Sequence, residues 1–310
     1  MTQDRVLPAI LLMLGFCLTA PLIDVAAKLA AATIPVGQIT TFRFVVQAVL
    51  MAVVCLALKE RLRPSTGTMP RLILRAVCLI AATYCFVAAV KVMPIADALA
   101  IVFVEPFILL ILGYLIFGDI VGPRRIGASL VGFAGSLLVI QPSFAAFGAI
   151  ALYPLGTAFT FAFYMLVTRS LSKDMNPLSM QLHTAVVASA ICIPIMILAE
   201  GSGFNDLDPV WPEGVFWVWL VGVGVAASVA HLMITYALRM APAATLAPLH
   251  YLELVSAAAF GYLVFGDFPN ALTWTGIGII VLSGLYVIHR ERLTARQQAT
   301  RAIARGSKAP

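Results

Sequence analysis

Ten apolar runs, each long enough to cross ~30 Å of bilayer hydrocarbon, cover positions 6–30, 36–58, 71–91, 94–117, 123–141, 147–170, 177–199, 213–238, 243–265 and 271–289. With 62% hydrophobic and only 11% charged residues and a mean hydropathy of +1.01, the chain lies far outside soluble globular composition. An all-α membrane protein of ten transmembrane helices is expected. Gly and Pro stop the helices at 64–70, 118–123 and 266–269. The first run resembles a secretory signal peptide, but Asp24 and Lys28 near its end and nine further runs argue against that.

The chain also contains itself twice. Glu105, Gly113, Tyr114, Leu115, Phe117, Gly118 and Asp119 recur 148 positions later as Glu253, Gly261, Tyr262, Leu263, Phe265, Gly266 and Asp267, and Pro94 and Pro242 keep that offset. Five spans per half is an odd number, so the second half enters the membrane in the opposite sense. Two inverted five-helix repeats follow, at 6–141 and 147–289, joined by the short segment 141–147. In secondary transporters such repeats meet near the midplane, where cargo binds.

Charge fixes the expected orientation. With the N-terminus inside, Arg5, Lys59, Arg61, Arg63, Arg71, Arg75, Arg124, Arg125, Arg169, Lys173 and Arg239 all fall on the cytoplasmic side, as does the basic tail 290–310. The loop 199–213, with Glu200, Asp206, Asp208 and Glu213 and no basic residue, then lies outside. Both termini are expected in the cytoplasm. The net charge of +6 reflects this asymmetry and gives no basic soluble surface for nucleic acid. The five cysteines lack metal-ligand or paired spacing, and the four histidines are scattered, so no metal or cofactor is expected. A disulfide-free, alanine-rich chain without an organelle presequence points to the bacterial cytoplasmic (inner) membrane.

Ionisable residues inside the spans are the candidate site. Asp97, Ile101 and Glu105 step by four along one helical stripe, and Pro106 frees a carbonyl one turn earlier. A carboxyl deprived of water can bind and release a proton near neutral pH, which makes Glu105 and Glu253 the proton-coupling candidates. His250 and Glu253, three apart, are neighbours on one helix surface and form a possible relay with Tyr251 beside them. Asp24 and Lys28 have the spacing of an ion pair, lining a cavity or gating its outer mouth. Arg43, the only arginine well inside an expected span, either holds an anionic cargo group or pairs with Asp24 or Asp97. Tyr84, Tyr164 and His231 complete the cavity candidates. No catalytic residues are assigned: no nucleophile–base pair or Walker A loop is present, and the Phe-Gly-Asp endings at 117–119 and 265–267 lack the first glycine of the intramembrane aspartyl protease motif.

The doubled pattern of apolar helix, Gly-aromatic-Leu, then Gly-Asp before a Gly-rich helix resembles the drug/metabolite transporter superfamily, specifically its EamA family, over approximately residues 6–289. Family members usually carry Gly-Glu where this chain has Gly118-Asp119 and Gly266-Asp267. Leu252-Glu253 matches a frequent second-repeat pattern, with Leu254 where proline normally follows, while Glu105-Pro106 keeps the proline. The resemblance implies a carrier with a cavity between spans one, three, four and six, eight, nine, opening alternately to either side. The expected function is proton-coupled export of a small polar metabolite, amino-acid-like, nucleotide-derived or cationic. The alternatives are an uptake permease or exchanger for a zwitterionic or cationic metabolite such as S-adenosylmethionine, and a lipid translocase or non-transporting membrane subunit. Expected partners are the small-molecule cargo, membrane lipid and a second copy in a homodimer.

Overall fold

The computed structural model describes residues 6–59, 66–117, 123–171, 174–240, 249, 252–283, 285–286 and 289. Among these the regular structure is helical throughout. The long helices are α1 (Val6–Ala30), α2 (Val36–Ala57) and α3 (Met69–Val90), followed by the shorter α4 (Ile95–Val102) and α5 (Glu105–Phe117). Then come α6 (Pro123–Phe147), α7 (Tyr153–Leu171), α8 (Pro177–Ala199), α9 (Phe216–Met240) and α10 (Leu252–Phe265), and last α11 (Ala271–Ser283). Six described stretches are long and apolar enough to cross a membrane: Leu7–Ala30, Val36–Ala57, Met69–Val90, Leu130–Thr168, Pro177–Ala199 and Phe216–Ala237. The chain is therefore a multi-pass membrane protein. The outward surface carries large apolar side chains such as Leu18, Leu56, Leu115, Leu198 and Leu263, as a lipid-facing surface requires.

Two expectations are corrected. The fourth run is two helices, not one: Phe103 and Val104 form a turn between α4 and α5. Pro106 has no N–H to donate to the carbonyl of residue 102, so the ladder stops and restarts at Glu105. The stripe from Asp97 to Glu105 is thereby interrupted. The junction 141–147 is not a connection either; α6 runs through it to Phe147. The chain turns at Gly148, whose φ of +62° suits a residue without Cβ, and passes through a short 3₁₀ segment into α7.

Packing is organised around small residues. α1 lies along α9, α3 along α7, and α2 against both α8 and α9. The α1–α2–α9 seam is built from Ala26, Ala27, Ala30, Ile34, Val36, Ile39, Leu220 and Val223, with Tyr84 and Val87 of α3 closing it. At Gly224 an added Cβ would stand 2.4 Å from the Cβ of Val46 and 3.2 Å from the carbonyl of Arg43. Only glycine permits that approach of α2 to α9.

Candidate functional site

The inward faces of α1, α2, α9 and α10 bring together most of the described polar candidates. Asp24 stands one turn beyond Pro21 on α1 and is partly accessible. Among the described residues it makes no hydrogen bond or ion pair. Lys28 does not serve it. The Lys28 ammonium donates to a carboxylate oxygen of Asp267 at 2.6 Å and to the Met93 carbonyl at 3.1 Å, and lies 4.6 Å from the Phe265 ring centre. The Asp24–Lys28 pair allowed by spacing is thus replaced by a link from α1 to the segments flanking α4 and α10. Asp97 is buried beside Thr273 and senses both charges of that link.

Arg43 is 6% exposed. Its Nη1 donates to the Thr83 hydroxyl of α3, whose own proton goes to the Leu79 carbonyl at 2.8 Å. A hydroxyl committed in this way offers only a lone pair, which suits a guanidinium. Nε of Arg43 is buried without a partner. His231 on α9 also senses Arg43; its Nδ1 lies 2.8 Å from the Ala227 carbonyl, an acceptor, so that nitrogen carries the proton and Nε2 is left to accept. Tyr84 is half-buried in the α1–α2–α9 seam.

Arg75, expected toward the cytoplasmic end of its span, is 2% exposed inside the bundle. Its Nε donates to Thr168 at 2.8 Å and its Nη2 to Tyr164 at 2.6 Å, while Nη1 donates to Thr184. The guanidinium lies 4.4 Å from the Tyr164 ring centre. Thr168 and Thr184 spend their protons on the carbonyls of Tyr164 and Met180, repeating the Thr83 arrangement. Tyr164 is therefore a holder of Arg75, joining α3, α7 and α8. Two arginines are thus buried against neutral oxygens. An unneutralised buried charge costs several kcal/mol, so the interior calls for negative charge.

Glu253 is 8% exposed in the first turn of α10, where Ser256 Oγ donates to the Cys17 carbonyl of α1 at 2.7 Å and Cys17 Sγ to the Leu249 carbonyl at 3.1 Å. These contacts fix α10 against α1. Glu105, at the α4–α5 break, is half-buried. His250 and Tyr251 lie outside the described residues, as do Asp119 and the tail 290–310. No three His, Cys, Asp or Glu side chains converge as metal ligands among the described residues. An apolar hollow of about 500 Å³ on the outer face of α9 is lined by Trp217, Val218, Val221, Gly222 and Val225.

Sequence reasoning did not select Arg75, Thr83 or Asp267. α3 begins at Met69, two residues before the apolar run, which sets Arg75 nearly two turns inside the helix. For Asp267 no local signal exists, since its partner is 239 positions away.

The EamA-like transporter family model matches the chain twice, over residues 7–141 and 147–289. A riboflavin transporter of Rhizobium johnstonii is 29% identical over 69% of this chain and 68% of its own length. The pseudopaline exporter CntI of Pseudomonas aeruginosa is 24% identical over 94% and 99%. An S-adenosylmethionine uptake transporter of Rickettsia prowazekii is 24% identical over 88% and 90%. One crystal structure superposes with a TM-score of 0.63 at 18% identity, covering 94% of this chain and 98% of its own; that likeness shows the fold. Buried charges inside a polytopic helical bundle and two family matches along nearly the whole chain lead to one conclusion: this protein belongs to the EamA-like transporter family.

Proposed function

We propose that the protein is a secondary carrier of small polar metabolites that couples export to proton entry, with Asp24 and Glu253 as the proton-binding pair. The observation that carries this reading is the packing of α10 against α1, tied by the Ser256 bond to the Cys17 carbonyl, with Asp24 on one of these helices and the buried Glu253 on the other. In this reading a proton and a cationic group of the cargo compete for the acids inside the bundle. That competition is the basis of exchange. Of the two sequence candidates, Glu253 takes the first role here because it is buried where α10 packs on α1.

The ten-span topology with both termini in the cytoplasm, and the division into halves at 6–141 and 147–289, are part of this proposal. The helix pairings support it. Exchanging the first five spans for the second turns the α1–α9 contact into α7–α3, and α2–α9 into α8–α3, as a pseudo-two-fold axis in the membrane requires. Relatives include an exporter and an uptake transporter, so direction is assigned here by the proton gradient of a bacterial inner membrane. A lipid-translocase reading has one supporting observation, the apolar hollow on α9.

The test is counterflow into proteoliposomes. A labelled metabolite extract is offered with and without an imposed pH gradient, and what enters is identified by mass spectrometry. Gradient-driven accumulation of one compound class in the wild type, lost in Glu253→Gln, is expected. Gradient-independent exchange refutes the coupling, and movement of labelled lipid alone selects the translocase.

A further inference from the structure

We infer that Lys28 is a two-position latch on the outer mouth of the carrier. Closed, as here, it ties the two halves of the chain together through Asp267; when the mouth opens, its ammonium passes to Asp97 of its own half. The inference rests on the carrier reading above and adds the device that closes one side of it.

The closed position is built from both halves. Lys28 lies in the half matched at 7–141 and Asp267 in the half matched at 147–289. Asp267 is set by the way α10 ends. Gly266, at φ +72°, returns its N–H to the Tyr262 carbonyl at 2.9 Å, and Asp267 donates its own to the Gly261 carbonyl at 3.2 Å, a left-handed stop that turns the chain at the helix end. Leu29, Met93 and Phe265 belong to one apolar cluster, so the last turn of α1, the start of α4 and the end of α10 meet around the ion pair. The Lys91–Asp206 pair also crosses between the halves, but both its side chains are exposed and water competes for them.

The open position is already in place. Lys28 uses one of its three donors on Asp267 and another on the Met93 carbonyl. Met93 immediately precedes Pro94, the cap of α4, and Asp97 is the third residue of that helix. The usual partner of an acid at that position is the N–H of the cap residue, and proline has none. Asp97 Oδ1 is accordingly buried without a hydrogen-bond partner. Helical side chains lie over the turn before their own Cα, which directs the Asp97 carboxyl back toward the turn where Lys28 is anchored. The long, flexible lysine stem can therefore keep Met93 and exchange Asp267 for Asp97. Opening then leaves no bare ammonium inside the bundle, and Asp267, the more exposed partner, turns to water.

The test reads the mouth directly. Val92→Cys and Phe268→Cys, at exposed positions in the α3–α4 and α10–α11 connections, carry spin labels on a protein whose five native cysteines are replaced by alanine. The distance distribution between the labels is measured in proteoliposomes without cargo. Asp267→Asn frees the latch and is expected to raise the ratio of long to short distances roughly 5- to 30-fold. Asp97→Asn removes the open position and lowers the ratio, also in the Asp267→Asn protein; Asp97→Ser makes the same test where the asparagine variant does not fold. In a Lys28→Met protein, Asp97→Asn no longer changes the ratio, which separates the latch from a merely structural role of Asp97. An unchanged ratio in Asp267→Asn, a raised ratio in Asp97→Asn, or an Asp97→Asn effect of equal size without Lys28 overturns the inference. Counterflow by a protein whose ratio ignores these variants keeps the carrier reading and removes the latch. A ratio that responds as stated, in a protein that moves no compound, keeps the latch and refutes the carrier.

Discussion

Replacing Gly224 by alanine tests whether the α2–α9 crossing positions Arg43. The new methyl carbon would stand 2.4 Å from Val46 Cβ, 2.6 Å from Val46 Cγ1 and 3.2 Å from the Arg43 carbonyl. Ordinary contact begins near 3.4 Å, so the helices must part by roughly 1 Å. Both Cβ atoms are fixed to their backbones and cannot rotate away, which places the cost at the upper end of overpacking, about 3 kcal/mol. Alanine recovers about 1 kcal/mol in helix propensity, leaving about 2 kcal/mol of destabilisation. For a chain of 310 residues that corresponds to a fall of roughly 3 °C in melting temperature, measured on purified protein in detergent. Gly278, with nothing within 4 Å of its added Cβ, is the control: Gly278→Ala keeps or raises the melting temperature. A Gly224→Ala protein that melts at or above the wild type refutes the close crossing.

Two further variants probe the link to α1 and the 199–213 loop. The Lys28–Asp267 pair, with side chains 15% and 29% exposed, falls between surface and buried ion pairs, so Lys28→Met and Asp267→Asn each cost about 1–2 kcal/mol; a double-mutant cycle on melting temperature shows coupling, and additive single effects contradict the link. Gln38 bonds both ways to the Val210 backbone, at 2.8 and 3.0 Å, and losing two such bonds in Gln38→Ala speeds amide hydrogen exchange at Val210 roughly 5- to 150-fold; unchanged exchange contradicts that anchoring.

The class of the protein was legible because lipid leaves few choices. Runs of apolar residues and the repeated Glu, Gly-Tyr-Leu and Phe-Gly-Asp signatures follow from chemistry that acts locally along the chain, and the family match covers the same region. Residue types in the site were legible for the same reason: an acid or arginine in lipid must face inward. Their partners were not. Lys28 has a favourable neighbour four residues away in Asp24, yet it bonds across the fold to Asp267, and only the packing of α1 against the α10 end decides between them. The partners of Arg75 were not legible either: three hydroxyls from α7 and α8, 89 to 109 positions away, hold its guanidinium inside the bundle. Pro106 was seen to free a carbonyl, but that the helix would break there, separating Glu105 from the stripe of Asp97, depends on the turn at 103–104.

The most direct test of the central claim is to watch the protons themselves. Wild-type proteoliposomes loaded with a pH-sensitive dye, and supplied with the compounds that counterflow identifies, are expected to show cargo-dependent proton movement opposite to cargo. Asp24→Asn and Glu253→Gln, still folded by melting temperature, are expected to abolish it. Cargo movement with no proton flux in the wild type, or full flux in both variants, contradicts the account.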